Sequence, residues 1–353
     1  MLHVCALTRA RPPPIHAIPF LARIKGDAIA VLLKSAHGLL AALAWLGRQG
    51  TRAIAVSIFV GLSLPQLAAA LKPFVGETIF LLLVLAFLRT EPRQLRAYFV
   101  RPGLIAVATL WMMVITPAVA GAALLAFGLH ESSPGLYLAF ILQASAAPIM
   151  SAPAFFALLG LDATLSLAVL MTCMLVTPLT APFFAYLFAG SALSISAFAL
   201  ALRLGFLLGG SAAAGWIVRR AAGAAWIERH RDHIDGANAL LLLAFAIAVM
   251  DGVAAAFRER PLFILGLVLV SFAIALAMMV LTALAFSRSG VNRAFALAHA
   301  AGNRNMGMML AATGGALPDL TWLYMGLAQF PIYLLPYLLQ PLARRMRGQD
   351  KPE

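Results

Sequence analysis

Apolar blocks of about twenty residues follow one another along most of the chain, separated by short segments rich in Arg, Pro, Gly and Asp. A helix needs about twenty apolar residues to cross the hydrocarbon core of a bilayer. The 353 residues are 63% hydrophobic and only 11% charged, whereas soluble domains are about half apolar and a quarter charged. The sequence therefore predicts an all-α polytopic membrane protein and excludes an ordinary soluble domain.

The blocks predict ten transmembrane helices, each ending at a charged, Pro or Gly residue. The predicted spans lie near 52–71, 75–89, 102–127, 135–160, 163–189, 193–218, 236–257, 261–286, 291–314 and 319–341. An even number of spans places both termini on the same side of the membrane.

The basic residues are divided unequally between the two sides of this topology. Of the 26 Lys and Arg residues, 21 fall on the side of the termini, four on the opposite side, and Arg304 inside a span. Cytoplasmic loops carry an excess of Lys and Arg, so we expect both termini in the cytoplasm, as in a bacterial inner membrane protein. Because the net charge of +13 is spread between apolar blocks, it does not predict nucleic-acid binding.

Three regions are expected along the chain. Residues 1–50 form a basic tail, within which Asp27, Lys34 and Arg48 share one face of an amphipathic interfacial helix. An eleventh span is the alternative, but it would bury Lys34 near the bilayer centre at a cost of roughly 3 kcal/mol. Residues 51–345 form the ten-helix membrane domain, and residues 346–353 form a basic cytoplasmic tail.

The fourth span should be broken near its middle. It contains Gln143, Pro148, Ser151 and Pro153, and each proline removes a backbone donor and obstructs the carbonyl four residues before it. Non-helical backbone at membrane depth is tolerated only where protein or a water-filled cavity satisfies it. The polar residues of this span are therefore candidates for a binding site.

The ninth span should be broken as well, because a polar stretch with two flexible glycines interrupts its apolar sequence. The stretch reads His299-Ala-Ala-Gly302-Asn303-Arg304-Asn305-Met-Gly307. Spans four and nine are each fourth in a block of five, so the chain is expected to contain two inverted five-helix repeats, about 51–190 and 192–345. Paired broken helices mark the binding site in transporters of this kind.

Arg304 is the strongest single candidate, since arginine stays protonated and a charge inside a span needs a cavity, a ligand or a counter-ion. The alternative is a structural ion pair with Asp251 or Glu77. His299 is either a proton-binding group or a histidine that is hydrogen-bonded within the bundle. Ser166 and its neighbours in the fifth span either line the cavity or bond to their own helix.

Two stretches resemble the bile acid:sodium symporter family. The first is Ser151 to Pro178, which contains Gly160-Leu-Asp162-Ala-Thr-Leu-Ser166; the second is Gly302-Asn303-Arg304-Asn305-Met306-Gly307, similar to the family's Gly-x-Gln-Asn-x-Gly segment. The resemblance covers about residues 50–345. It implies a ten-helix fold in which two broken helices cross beside a substrate cavity, and sodium-driven transport of organic anions.

The sodium ligands that the resemblance implies are mostly replaced in this chain. Ser151 and Ser166 match, but non-ligating residues replace the others: Ala152, Leu170, Ala300 and Met112 stand where the family has Asn, Thr, an acid and Gln, and Arg304 replaces a second Gln. Sodium independence is therefore expected, with proton coupling or facilitated diffusion in its place. Arg304 would act as a built-in cation and attract an anionic substrate.

We therefore expect a secondary transporter of small organic anions that works by alternating access in the bilayer. The chain contains no Gly-rich lysine loop for ATP, and neither a catalytic residue, a metal site nor a cofactor is predicted. Two alternatives are a receptor or scaffold with the same fold, and an arsenite or metabolite efflux permease. An intramembrane enzyme has little support, and a homo-oligomer is left open.

Overall fold

Helices form all the regular structure in the computed structural model, which describes residues 58–90, 102–159, 161–190 and 193–347. No β-strand occurs within those ranges, so the predicted all-α fold is confirmed there. The predicted N-terminal tail and interfacial helix lie outside the described residues.

In chain order, residues 58–63 are helical and are followed by these helices: α1 Pro65–Leu71, α2 Val75–Arg89, α3 Pro102–Leu110, α4 Thr116–Ala126, α5 Leu129–Ser132, α6 Pro134–Ser145, α7 Ala152–Leu159, α8 Ala163–Phe184, α9 Ala197–Ala222, α10 Ala224–Arg229, α11 Arg231–Ala248, α12 Val253–Glu259, α13 Pro261–Ala285, α14 Val291–Gly302, α15 Met306–Thr313, α16 Asp319–Leu327, α17 Gln329–Leu338 and α18 Gln340–Arg347. A π-helical turn, Trp111–Ile115, joins α3 to α4, and a second, Ala185–Ala189, extends α8.

Within the described residues, seven helical segments are long and apolar enough to cross a membrane. They are Pro65–Arg89, Pro102–Ala126, Ala163–Ala189, Ala197–Ala222, Arg231–Glu259, Pro261–Ala285 and Asp319–Arg345. The fourth and ninth predicted spans appear instead as two pairs of shorter helices, α6 with α7 and α14 with α15. The two predicted helix breaks are therefore present.

The junction between the first two predicted spans differs from the prediction. Lys72–Phe74 forms a single 3₁₀ turn between α1 and α2, so a helical turn and not an irregular loop joins these two segments. Pro73 lies in the first turn of this element, where a helix leaves backbone N–H groups unbonded and proline costs little.

The seventh span also differs from its predicted limits. Its helix begins at Arg231 rather than 236, and a turn at residues 249–252 separates α11 from α12. Gly252 permits this turn because its φ is +80°, in the left-handed region where a side chain is unfavourable. Asp251 therefore lies in a turn and not inside a continuous transmembrane helix.

Close helix pairs surround the two broken helices. α13 packs along α14, while α2 packs against α9, α11 and α15. At Gly307, an added Cβ would lie 2.6 Å from Ile79 Cδ1, so α15 approaches α2 at a residue without a side chain. The C-terminal helix α18 contacts α7 and α14 and continues to Arg347, past the predicted start of the tail.

A substitution at Gly302 tests the packing of α14 on α13. A Cβ at this position would lie 2.6 Å from the carbonyl oxygen of Ala275, so Gly302→Ala should lower the free energy of unfolding by ~1–3 kcal/mol through overpacking. Thermal unfolding of the purified protein measures the change. Gly266→Ala is the matched control because a Cβ there meets nothing within 4 Å, and equal midpoints for both variants would contradict the packing.

Candidate functional site

The two helix breaks lie against each other. α6 ends at Ser145 and α14 ends at Gly302, and the chain after each end is extended. Two backbone hydrogen bonds join the breaks: Ile149 N donates to Asn303 O at 2.9 Å, and Asn305 N donates to Ala147 O at 2.7 Å. Backbone groups that the helices leave unpaired are thus satisfied by pairing one break with the other, as membrane depth requires.

The side chain of Arg304 lies at the centre of this crossing. It is only 3% exposed, and its guanidinium donates to three main-chain carbonyls. Nε donates to Ala301 O at 2.8 Å, while Nη1 donates to Ala146 O at 3.0 Å and to Met112 O at 3.2 Å. One side chain therefore joins α14, the first helix break and the π-helical turn.

The Met112 carbonyl is free because of an irregularity in its helix. Thr116 N, its partner in an ordinary α-helix, donates instead to Trp111 O across the π-helical turn. The next possible donor would be residue 117, but Pro117 has no N–H. Arg304 supplies the missing donor.

The other two carbonyls are free because their helices end. Ala301 O would accept from Asn305 N in a continuing helix, but that N–H donates to Ala147 O across the crossing. Ala146 follows the last residue of α6 and has extended backbone, with ψ at 148°. The site is thus built from three oxygen atoms that have lost their helical partners.

Part of the Arg304 side chain remains unpaired. Nη2 is buried and has no hydrogen-bond partner, and the same holds for the side-chain oxygens of Thr109, Thr116 and Ser145. No Asp or Glu of the described residues forms a salt bridge with Arg304. Burying a cation without a counter-ion is costly.

The ion pair considered as an alternative for Arg304 is not formed. Asp251 instead accepts from Lys72 Nζ at 2.9 Å, and the same ammonium lies 4.6 Å from the ring centroid of Trp322. Glu77 is exposed to the surroundings on α2. Lys72 lies in the turn that follows α1, and Asp251 lies in the turn that follows α11. Asp251 is therefore paired with Lys72 and not with Arg304.

Three further predicted residues lie at or next to the crossing. Asn303 Nδ2 donates to His299 O at 3.0 Å, and Asn305 Oδ1 accepts from Met308 N at 3.1 Å, which caps α15. Gln143 is 7% exposed and its Oε1 accepts the hydroxyl proton of Tyr324 at 2.7 Å. Asn303 and Asn305 therefore shape the break, while Gln143 lines a cavity next to it.

The remaining predicted residues are not brought to Arg304. His299 is stacked on Phe155, with ring centroids 5.0 Å apart, and meets Phe156 edge to face. Both of its ring nitrogens are buried without partners. Ser151 is exposed at the far end of the first break, and Ser166 is buried on α8 with an unpaired hydroxyl. His299 contributes aromatic packing in this conformation.

The helix-breaking residues also differ in their roles. Pro148 lies within the non-helical segment, but Pro153 lies in the first turn of α7 and begins the second half-helix. Gly302 is the last residue of α14 and Gly307 lies in the first turn of α15, and neither has a positive φ. Close packing accounts for the absence of a side chain at both positions, since an added Cβ would clash at each.

The main-chain oxygens of the site were not predicted, although the sequence held one signal for them. Pro117 removes a donor in the middle of the third span, which marks a free carbonyl nearby. Met112 was noted only for a side chain that replaces a glutamine, whereas its backbone oxygen binds Arg304. Thr116, which lines the same cavity as Gln143, carried no comparable signal.

Three positions at which the family resemblance places sodium ligands carry side chains without oxygen. Ala152, Leu170 and Ala300 are each only 1% exposed and present hydrocarbon to their surroundings. The guanidinium of Arg304 already lies where three carbonyl oxygens meet. A fixed positive charge therefore occupies these three oxygens.

Replacing Arg304 by lysine tests the guanidinium geometry while keeping the charge. The ammonium cannot reproduce the bond from Nε together with those from Nη1, so Arg304→Lys should lower the free energy of unfolding by ~1–3 kcal/mol for a carbonyl left unpaired. Arg203→Lys is the control, because among the described residues Arg203 donates to a single carbonyl, Thr313 O. Thermal unfolding compares the two variants. Equal unfolding midpoints would contradict the hydrogen bonds from Arg304 to the three carbonyls.

Comparison with known families agrees with this architecture. A model of the Sodium Bile acid symporter family matches residues 78–258, or 181 of the 353 residues. The match runs from α2 into α12 and includes the first helix break. Comparison with curated proteins finds no match. Because the match covers more than half of a chain with helices long enough to cross a membrane, the protein belongs to the sodium bile acid symporter family of multi-pass membrane transporters.

Proposed function

We propose that the chain is a secondary transporter of small organic anions that works without sodium, with Arg304 in place of an exchangeable cation. The observation that carries this proposal is the guanidinium bonded to Met112 O, Ala146 O and Ala301 O at the helix crossing. Three converging carbonyl oxygens are an environment that suits a cation. Here that cation is covalently part of the protein.

A tethered cation has consequences for coupling. A driving ion must bind on one side of the membrane and leave on the other, but arginine can neither dissociate nor lose its proton under physiological conditions. Arg304 can stabilise the crossing but cannot transmit the energy of an ion gradient. Transport would then follow the substrate gradient or use protons.

The two broken helices support the proposal of inverted repeats and alternating access. α6 and α14 each have 12 residues, while α7 and α15 each have eight. The two breaks also meet at Pro148 and Arg304 in an antiparallel bridge. Equal half-helices that meet at their breaks are the arrangement expected where inverted halves enclose a substrate site.

Transport assays in proteoliposomes test this function. Uptake of an organic anion should be the same with and without a sodium gradient. Arg304→Gln should make uptake depend on sodium, because it removes the fixed charge and restores a neutral oxygen ligand. Efflux of anions from preloaded proteoliposomes, measured under imposed sodium or proton gradients, shows which ion is coupled to transport.

Two results would contradict the proposal. Sodium stimulation of the unmodified protein would mean that the cation sites are intact. Uptake unchanged by both Arg304→Gln and Arg304→Ala would remove any role for the guanidinium. If anions bind without flux under every gradient, the receptor alternative replaces transport.

The proposed orientation places both termini in the cytoplasm, as in a bacterial inner membrane. With Cys5 replaced by Ser, a cysteine at the exposed Ser132 should react with an impermeant maleimide in intact cells. A cysteine at the exposed Ser287 should react only after permeabilisation. Reversed labelling would invert the topology. Cys173 is buried and serves as the background control.

A further inference from the structure

A lysine joins two turns and a helix at one end of the bundle. Lys72 lies in the turn between α1 and α2, and its Nζ donates to Asp251 Oδ2 at 2.9 Å. Asp251 lies in the turn between α11 and α12. The same nitrogen lies 4.6 Å from the ring centroid of Trp322 on α16, which is a cation–π contact. One side chain thus contacts two other parts of the molecule.

The face of α16 that carries Trp322 packs closely on the turn that carries Asp251. Gly326 follows Trp322 by four residues, so the two lie on the same face of the helix. A Cβ added at Gly326 would lie 2.6 Å from the carbonyl oxygen of Val249, which follows the last residue of α11. The contact of Lys72 with Trp322 therefore lies one helical turn from the closest approach of α16 to this turn.

Trp322 and Lys72 belong to different groups of helices. On α16, Thr321 Oγ1 donates to Gly135 O at 2.7 Å and the Tyr324 hydroxyl donates to Gln143, so α16 is bonded to α6 and with it to the crossing. The turn that carries Asp251 follows α11, which packs against α1 and α2. The cation–π contact therefore spans a surface between the two groups that is otherwise mainly apolar.

A second cation spans the same surface nearby. Arg203 on α9 donates from Nη1 to Thr313 O at 3.2 Å. Thr313 is the last residue of α15, where a helix leaves carbonyls unbonded and carries a partial negative charge. Residues 314–318 join α15 to α16. The two helices that flank this short loop are therefore each held by a cation from the other group.

These contacts are of a kind that forms and breaks readily. The side chains of Lys72 and Asp251 are 42% and 23% exposed, and ion pairs at such positions are weak and screened by salt. An exposed ammonium that leaves its partners gains contacts with water in exchange. The buried bonds of Arg304 have no such exchange, because bulk water is absent at membrane depth. The junction at Lys72 is therefore the easier one to open.

We propose that Lys72, Asp251 and Trp322 form a latch that holds α16 against the α11–α12 turn and is released when the crossing moves past α2, α9 and α11. This rests on the proposed function, which requires that movement. Arg203 holds the neighbouring end of α15 in the same closed position. The latch acts on the conformation of the protein, and no substrate contacts it.

The labelling rate of a buried cysteine measures whether the junction opens. Val249 is fully buried, so Val249→Cys in full-length protein with Cys5→Ser should react slowly with a maleimide, and the chain without Val249→Cys gives the background of the buried Cys173. Lys72→Gln removes the charge and with it both contacts, and should raise the rate roughly threefold or more. Lys72→Arg keeps the charge and should restore the slow rate.

A matched charge and a change of salt serve as controls. Arg258 is exposed on α12 and among the described residues donates only to Ala254 O of its own helix, so Arg258→Gln should label as slowly as the parent. Potassium chloride at about 1 M shortens the screening length to ~3 Å. It should speed labelling of the chain that contains Lys72 and leave that of Lys72→Gln unchanged, which tests the latch without altering it.

The outcomes separate the latch from transport. Equal labelling rates for Lys72→Gln and Lys72→Arg would overturn the latch, as would equal acceleration by Arg258→Gln. Faster labelling of Lys72→Gln in a protein that shows no flux of any anion would leave the latch and overturn transport. Sodium-independent flux with labelling rates that Lys72→Gln does not change would leave transport and overturn the latch.

Discussion

The hydrogen bonds of Arg304 to three main-chain carbonyls are the interaction on which the centre of this protein depends. Each oxygen is free because a helix is interrupted, by a π-helical turn before Pro117 or by the ends of α6 and α14. Within a bilayer no bulk water can replace a lost helical partner, and each unsatisfied group costs several kcal/mol. A single guanidinium therefore satisfies one free carbonyl at each of the three helix interruptions.

This arrangement constrains how the proposed transporter could move. The two breaks are joined to each other by backbone bonds and to α3 and α4 through Arg304. Breaking them in each cycle would expose several buried donors and acceptors at once, whereas the surfaces of α2, α9 and α11 meet the crossing mainly through apolar packing. Sliding along that apolar surface costs fewer hydrogen bonds, so under the proposed function the crossing would move as one body.

The sequence predicted what depends on local chemistry. Prolines and a polar stretch locate both helix breaks, and apolar length locates most of the spans, since one residue type acts on its own helix in each case. It did not predict the oxygens around Arg304, because a backbone carbonyl has no sequence signature and becomes free only when its neighbours bond elsewhere. The surroundings of His299 and Gly307 were not predicted for a related reason, because the residues packed against them, Phe155 and Ile79, are distant in sequence.

An acidic partner, the structural alternative considered for Arg304, would give the site a different charge. A carboxylate beside it would have neutralised the guanidinium and left no attraction for an anionic ligand. Carbonyl oxygens satisfy the N–H groups while carrying no net charge, so the site keeps its positive charge even though two of its nitrogens are bonded. Asp251, the nearest candidate by sequence, is held by Lys72 in a turn. The charge of Arg304 therefore has no acidic partner among the described residues, and under the proposed function it would attract an anionic substrate.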